Sequence, residues 1–269
     1  MMKTRLIITH PGRAHFDEVA AISMILAVHT DTVFRIERRE VAQAELNDPD
    51  TWVVDIGNRH EPEKRNFDHH QDTDCPASFV LVAEYLGLAE TMSIMPWWHF
   101  KDSVDRFGPV KSSKEFHAGD DLVNRNPVEI WLMSRFASEP RETLPLLKAF
   151  GTNMIENARI LKKQIDFWKT CSRLVIAGIP AVIGETTELA GLEEFRRLDG
   201  NPPGIVISID HVDRGWRLFR YDGTPVDFSL ISDCPEIVFA HKNGFMAKTI
   251  ESLAIDDLIS LVGKAVIST

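Results

Sequence analysis

The sequence predicts an α/β protein in which a mostly parallel sheet carries helices on both faces, followed by a smaller α/β C-terminal domain. Three observations support this prediction. Short apolar runs alternate with segments of helical periodicity in the first half of the chain. A long helical pattern then separates that half from a second group of strand-like runs. The length of 269 residues suits one large domain or two moderate ones.

The elements of the first half follow from the spacing of apolar residues. Three apolar runs predict buried strands: RLIITH (5–10), TVFRIER (32–38) and TWVVDIG (51–57). Helical spacing predicts helices over 17–29 and 77–88. Asp17 and Glu18 lie in the first turn of the earlier helix, where acidic side chains are favourable. Residues 89–135 are predicted to be mixed and mostly helical.

A helical pattern over 143–170 predicts the connector to a second domain, with Pro145 in its first turn. We expect a first domain over 1–165, including this connector, and a second over 172–269. The second domain is predicted to contain four strands and two helices. The strands are expected at 173–178, 181–184, 204–210 and 216–222, and the helices at 185–198 and 246–266.

Composition narrows the possible partners and the compartment. The net charge of −10 argues against strong binding to long duplex nucleic acid, but it leaves room for a small phosphate-bearing substrate. The three cysteines are few and widely spaced, which predicts reduced thiols in a cytoplasmic protein. No apolar run approaches ~20 residues, and the start of the chain lacks the pattern of a signal peptide, so no membrane association is expected. Composition leaves homo-oligomer formation open.

Histidines and aspartates follow two of the predicted strands. Ligands of open parallel sheets bind beyond the carboxyl ends of the strands, so we expect these side chains to meet at one edge. Imidazole and carboxylate groups without thiolates suit Mn, Fe, Zn or Mg, and their number fits two ions better than one tetrahedral zinc. Taken singly, each residue also has an ordinary structural interpretation, as a strand-end hydrogen-bonding group, a helix N-terminal acid or a loop residue. The set is His10, His15, Asp17, Asp55, Asp68, His69 and His70.

Three ordered motifs, THPGRAHFDE (9–18), VVDIG (53–57) and FDHHQ (67–71), resemble the DHH phosphoesterase superfamily. More narrowly, they are similar to the melanocyte-proliferating-gene (MYG) family. The superfamily usually has an aspartate where His15 stands, and histidine at that place is typical of the narrower family. The resemblance covers about sixty residues. It implies a two-domain, manganese-dependent phosphoesterase with two ions, for which Mg²⁺ or another divalent ion is an alternative.

The resemblance also implies roles for individual residues. One ion would be held by His10, Asp17 and Asp55, and the other by His15, Asp55, His69 and Asp105, with Asp55 bridging. Asp105 is preferred to Asp102 because DRFG resembles the family's D-N-G with one residue added, although a solvated helix face is the ordinary alternative. Asp68 and His70 would contact the ligands or the substrate. Asp68 would fix the tautomer of a ligating histidine, and His70 would donate to a phosphate oxygen or protonate the leaving oxygen.

Two further segments are candidates for substrate contact. The stretch IVFAHKNGFMAKT (237–249) resembles the family's C-terminal F-x-H-x-x-G-F segment, and it suggests phosphate binding by His241, Lys242 and Gly244. Trp97 and Trp98 are adjacent, so at most one can stack on a base, and packing in the core or at an interface is the favoured interpretation.

The family's activity implies a 3′-to-5′ exonuclease on short RNA or oligonucleotides. Two alternatives remain open at this point. One is a hydrolase of a small phosphate compound such as pyrophosphate, a nucleotide or phosphoadenosine phosphate. The other is a binding protein that keeps the metal site as a metal or nucleotide sensor without useful turnover.

Overall fold

The computed structural model describes residues 4–118, 126–210, 212 and 215–267. The chain divides into two compact units, Met1–Ile160 and Leu161–Thr269. The domain bounds expected from the sequence, 1–165 and 172–269, remain a prediction. In the part of the chain that the structure describes, no helix combines the length and the apolar character needed to cross a membrane.

The sheet of the first unit has five strands in the order β2-β1-β3-β5-β4. Their bounds are β1 (Thr4–Thr9), β2 (Val33–Arg38), β3 (Thr51–Val54), β4 (His60–Glu61) and β5 (Asn66–Phe67). The β1–β2, β1–β3 and β3–β5 pairs are parallel, and only the short β4 runs antiparallel to β5. The predicted mostly parallel sheet is therefore confirmed.

The described residues of the first unit also contain several helices. Their bounds are α1 (Phe16–Val28), α2 (Gln43–Leu46), α3 (Ser78–Tyr85), α4 (Ala89–Met92), α5 (Trp98–Phe107), α6 (Pro109–Glu115) and α7 (Pro127–Ser138), and α8 (Pro140–Thr170) begins here. The mostly helical character predicted for 89–135 is confirmed, with 119–125 outside the described residues.

Both faces of this sheet are buried along β3 and the carboxyl-terminal half of β1. Ile7 and Trp52 are register partners in the large core cluster, which also contains apolar residues of α1, α3 and α8. Ile8 and Val53 are the next register pair, are fully buried, and point to the opposite face because side chains alternate along a strand. The continuous apolar character of β1 and β3 therefore has the physical basis expected of parallel strands covered on both sides.

The second unit contains a six-stranded sheet in the order β10-β11-β9-β8-β7-β6. Its strands are β6 (Ser172–Ile176), β7 (Ile179–Gly184), β8 (Ile205–Ile209), β9 (Trp216–Arg220), β10 (Ile237–Ala240) and β11 (Met246–Thr249). Among the described strands of this sheet, β7 and β8 form the one parallel pair. The described residues of this unit also include the end of α8 and the helices α9 (Leu192–Leu198) and α10 (Ile255–Gly263).

Two helix predictions in this unit were wrong in extent. The helix expected over 246–266 is a strand followed by a shorter helix, because Met246–Thr249 pairs with both β9 and β10. Ala247 and Thr249 are fully buried and alternate with half-buried neighbours, which is the period of a strand. The helix expected over 185–198 is formed only from Leu192, after a loop in which Thr186 Oγ1 accepts the Glu188 N–H.

Candidate metal centre

Candidate ligands follow three neighbouring parallel strands of the first sheet. His10 follows β1, Asp55 follows β3, and Asp68 and His69 follow β5. The order β1-β3-β5 makes these strands adjacent, so their carboxyl ends form one edge. The edge is the place where open parallel sheets bind ligands.

One group of ligand atoms forms around His10. Its Nε2 lies 3.0 Å from Glu18 Oε1 and 3.5 Å from Asp55 Oδ2. His15 completes the group, and the four residues each offer an atom within 4.8 Å of the others. His15 is the exposed member, and Glu18 and Asp55 are buried.

A second group forms around His69. Its Nε2 lies 2.8 Å from Asp105 Oδ2 and 3.6 Å from Asp17 Oδ2. The same nitrogen is 3.6 Å from Asp55 Oδ1. Asp55 therefore turns one oxygen towards His10 and the other towards His69, which is the arrangement of a carboxylate shared between two ions.

The sequence around Asp55 and Asp17 explains how these carboxylates are held. Asp55 has a left-handed backbone (φ 58°), a strained conformation for a residue with a side chain, and its N–H donates to Phe67 O on β5 at 2.9 Å. Asp17 accepts the N–H groups of Ser78 (2.9 Å) and Phe79 (2.5 Å) at the start of α3. Asp17 thus also caps a helix, where the positive end of the dipole favours its charge.

The electrostatics of the edge show a shortage of positive charge. Asp17 and Asp55 are 1% and 2% exposed, and burial is the main cause that raises the pKa of each carboxyl. The interaction with Glu18 raises the pKa of His10 to about 9. Burial lowers the pKa of His69, but Asp105 and Asp55 outweigh this and raise it to about 11. Both tendencies have one cause, because several buried carboxylates crowd around the two histidine rings.

The residues present fit divalent ions. The Nε2 atoms of His10 and His69 are buried and, among the described residues, have no well-directed hydrogen bond, although carboxylate oxygens lie close to both. A divalent ion would supply the missing charge and take a neutral imidazole nitrogen as a ligand. The donor set of imidazoles and carboxylates suits Mn²⁺, Mg²⁺, Fe²⁺ or Zn²⁺.

The Asp68 carboxylate lies against the ring of His70, whereas the role expected from the sequence, fixing the tautomer of a ligating histidine, remains a prediction. Asp68 Oδ1 lies 2.7 Å from His70 Nδ1 and accepts the His69 N–H at 2.8 Å. Its other oxygen accepts the Asn58 N–H at 2.5 Å. The His70 side chain is 57% exposed and lies 3.6 Å from Asp55 Oδ1, so it faces both the carboxylate group and solvent.

Two residues of the edge were missed by the sequence reasoning. Glu18 was placed in the first turn of a helix, but its carboxylate belongs to the His10 group and also accepts the His15 N–H at 2.9 Å. Arg38 ends β2, and its Nη2 lies 3.1 Å from His10 O and 3.4 Å from Glu18 Oε1. The signal for both was present, since Glu18 closes THPGRAHFDE and Arg38 stands at the carboxyl end of a parallel strand.

A cavity of about 370 Å³ opens beside the ligand groups. His15, Asp17 and Asp105 line it, together with the cationic side chains of Arg13 and Lys101. Candidate metal ligands and cations that line the same cavity suit a phosphate-bearing ligand.

The three residues expected to bind phosphate lie in the second unit. His241, Lys242 and Gly244 share the turn between β10 and β11. Gly244 has φ 65°, and a Cβ there would lie 1.9 Å from Asp227 Oδ1, so only glycine fits. His241 Nδ1 accepts the Asn243 N–H at 3.1 Å. Their contact with phosphate remains a prediction.

A protein-family model matches the first part of the chain. The family model MYG1_exonuc, described as an uncharacterised protein family (UPF0160), matches residues 6–77. No curated protein matches the chain. Among solved structures, the chain is similar to RecJ from Thermus thermophilus, in its complexes with Mn²⁺ and with Mg²⁺.

The likeness to RecJ is distant. The identities are 11% and 10% and the TM-scores 0.28 and 0.27, over 97% of this chain and 51% and 49% of the RecJ chains. The chain thus spans about half the length of the RecJ chains that it matches, and a likeness of this size carries no conclusion about activity. The family match over residues 6–77 includes His10, Asp55 and the Asp68-His69-His70 run, and it confirms the resemblance to the MYG family.

Proposed function

We propose that this chain is a metal-dependent phosphoesterase that hydrolyses phosphodiester bonds with a water activated by two divalent ions. The observation that carries the proposal is the Asp55 carboxylate, whose two oxygens face His10 and His69 separately. Two bound ions would lower the pKa of a water and offset the charge that develops on phosphorus-bound oxygens. We further propose Mn²⁺ as the native ion and 3′-to-5′ cleavage of short RNA or oligonucleotides as the reaction.

The chain's own residues account for the remaining roles. His10, His15, Asp17, Asp55, His69 and Asp105 are proposed as ligands, with Glu18 added from the geometry. His70, held through Nδ1 by Asp68, is proposed to donate from its other ring nitrogen to a phosphate oxygen or to protonate the leaving oxygen. Arg13 and Lys101 on the cavity wall would bind phosphate oxygens. His241, Lys242 and Gly244, which lie in the second unit, are also proposed as phosphate contacts.

A direct test is the release of mononucleotides from a short, 5′-labelled RNA by Mn²⁺-loaded protein, compared with chelator-treated protein. The proposal predicts stepwise shortening from the 3′ end that depends on the metal. Pyrophosphate and a 3′,5′-bisphosphate nucleotide are tested in parallel, because their hydrolysis without RNA cleavage would favour the small-phosphate alternative. If Mn²⁺-loaded protein hydrolyses none of these substrates, the enzyme proposal is wrong and the sensor alternative stands.

A further inference from the structure

A second cavity lies next to the first in the same unit and has a different chemical character. Its volume is about 520 Å³, within the ordinary range for small-ligand pockets. Five of the residues that line it are aromatic: Phe16, Trp97, Phe100, Trp131 and Phe150. None of the proposed metal ligands lines this cavity.

The two cavities adjoin. Phe16, Lys101 and Glu129 are among the residues that line both. Lys101 Nζ lies 4.7 Å from the centre of the Phe16 ring and 2.5 Å from Glu129 Oε1, so an ion pair holds this ammonium group where the cavities meet. A ligand that spans them would meet metal-binding groups and cations at one end and aromatic faces at the other.

The aromatic walls are accessible. Trp131 on α7 is 52% exposed, and Phe16 and Trp97, which pack edge to face at 5.4 Å, are half-buried. Trp98, in contrast, is 3% exposed and packs on Phe79 at 4.7 Å. Of the adjacent tryptophans, Trp98 therefore belongs to the core, and Trp97 is available to a ligand.

Polar groups on α8 complete the wall. Asn153 and Asn157 are exposed one helical turn apart, and Asn157 Nδ2 donates to Asn153 Oδ1 at 2.9 Å. Each amide carries both hydrogen-bond donors and an acceptor, which match the donors and acceptors along the edge of a nucleobase. A purely apolar ligand would leave these groups without partners. Aromatic faces and amide groups together are the chemistry of base recognition.

We propose that this second cavity binds one nucleobase of the substrate while its phosphate lies at the metal edge. The catalytic role of this cavity rests on the proposed function, whereas nucleotide binding to the cavity can be measured whether or not the protein is an enzyme. In this proposal, the base stacks on Trp131 and Trp97, and its polar edge contacts Asn153 and Asn157. Lys101 contacts the phosphate where the two cavities meet.

The test is a calorimetric titration in chelator with adenosine 5′-monophosphate and with ribose 5-phosphate, which lacks the base. Wild-type protein is expected to bind the nucleotide at least about tenfold more tightly, the size of one stacking interaction. Trp131→Ala should lose most of this preference, and Trp131→Phe should keep it. Phe167→Ala is the matched control, because Phe167 is an exposed aromatic residue outside both cavities.

The proposal is overturned if wild-type protein does not distinguish the two ligands, or if Trp131→Ala binds the nucleotide as tightly as wild type does. Asn157→Ala gives a second readout from an exposed helix face, and the proposal expects weaker nucleotide binding there too. The kinetic readout compares kcat/KM for a dinucleotide with kcat/KM for its abasic counterpart. The ratio of the first to the second should fall in Trp131→Ala. If no phosphodiester is cleaved, the proposed function fails, and the titration still decides on the pocket.

Discussion

His69 Nε2 lies 2.8 Å from Asp105 Oδ2, which joins the loop after β5 to helix α5. The neighbouring candidate, Asp102, has different partners: it accepts the Ala77 N–H at 2.8 Å and pairs with Arg106 at 3.3 Å. Asp102 therefore secures the chain before α3, and Asp105 is the aspartate of this helix that faces the ligand group. The DRFG segment thus contributes its first residue to the proposed centre.

Replacing His69 by alanine should abolish metal-dependent hydrolysis. The change removes the nitrogen that lies nearest to Asp105 and leaves the strands intact, so we expect a loss of at least about 100-fold in kcat/KM with an unchanged circular dichroism spectrum. His99→Ala is the control, since His99 is an exposed histidine on α5 outside the ligand groups. Full activity in His69→Ala would contradict the assignment of His69 as a metal ligand.

Glu18→Gln tests the ligand that the sequence reasoning missed. The amide keeps the shape of the side chain but removes the charge that faces His10 and Arg38. We expect Mn²⁺ affinity to fall by about 10- to 100-fold, as for other residues that support a metal site. Glu84→Gln, an exposed change on α3, should leave the affinity unaltered. Equal affinities in the two variants would show that Glu18 serves only as a helix-terminal acid.

Metal binding should stabilise the protein against heat. A ligand at 100 times its Kd adds ~2.7 kcal/mol to the free energy of unfolding, which for a unit of this size corresponds to a rise in Tm of about 5–10 °C. Asp55→Asn should shrink this rise, because Asp55 is shared by both ligand groups. Without metal, the same variant should be no less stable than wild type, since it removes one of several buried, mutually repelling charges.

Differential scanning fluorimetry with increasing Mn²⁺ measures both effects. Asp31→Asn, an exposed change after α1, is the control and should show the wild-type rise. An Asp55→Asn variant with an undiminished Mn²⁺ response would contradict the shared carboxylate.

Helix α8 packs closely against α1 at Gly151. A Cβ there would lie 2.0 Å from the backbone oxygen of Ser23. Gly151→Ala should therefore lower the free energy of unfolding by about 1–3 kcal/mol or more, because two backbones would have to separate. Gly263→Ala in α10 has open space around its Cβ and should be neutral or stabilising by up to about 1 kcal/mol. Urea denaturation of both variants distinguishes the two cases, and equal midpoints would refute the close packing.

The sequence was most informative where local pattern and topology agree. The strands β1 to β3 and the helix α1 were predicted within a few residues, because apolar runs and acidic first-turn residues report directly on burial and helix polarity. The meeting of His10, Asp55 and His69 followed from one rule about parallel sheets.

Other features depend on packing between distant segments. Glu18 and Arg38 gain their place only when β2 lies beside β1, and Trp97 separates from Trp98 only when α5 packs on α3. The error at 246–266 has the same origin, since Met246–Thr249 becomes a strand through its pairing with β9 and β10. The orientation of His70 by Asp68 is a side-chain detail that spacing alone does not determine.

The most direct test of the account is anomalous scattering from crystals grown with Mn²⁺. We predict two peaks ~3.5–4 Å apart at the sheet edge, one beside His10 and one beside His69, with Asp55 between them. A single peak, or peaks away from Asp55, would contradict the two-ion centre on which the proposed function depends.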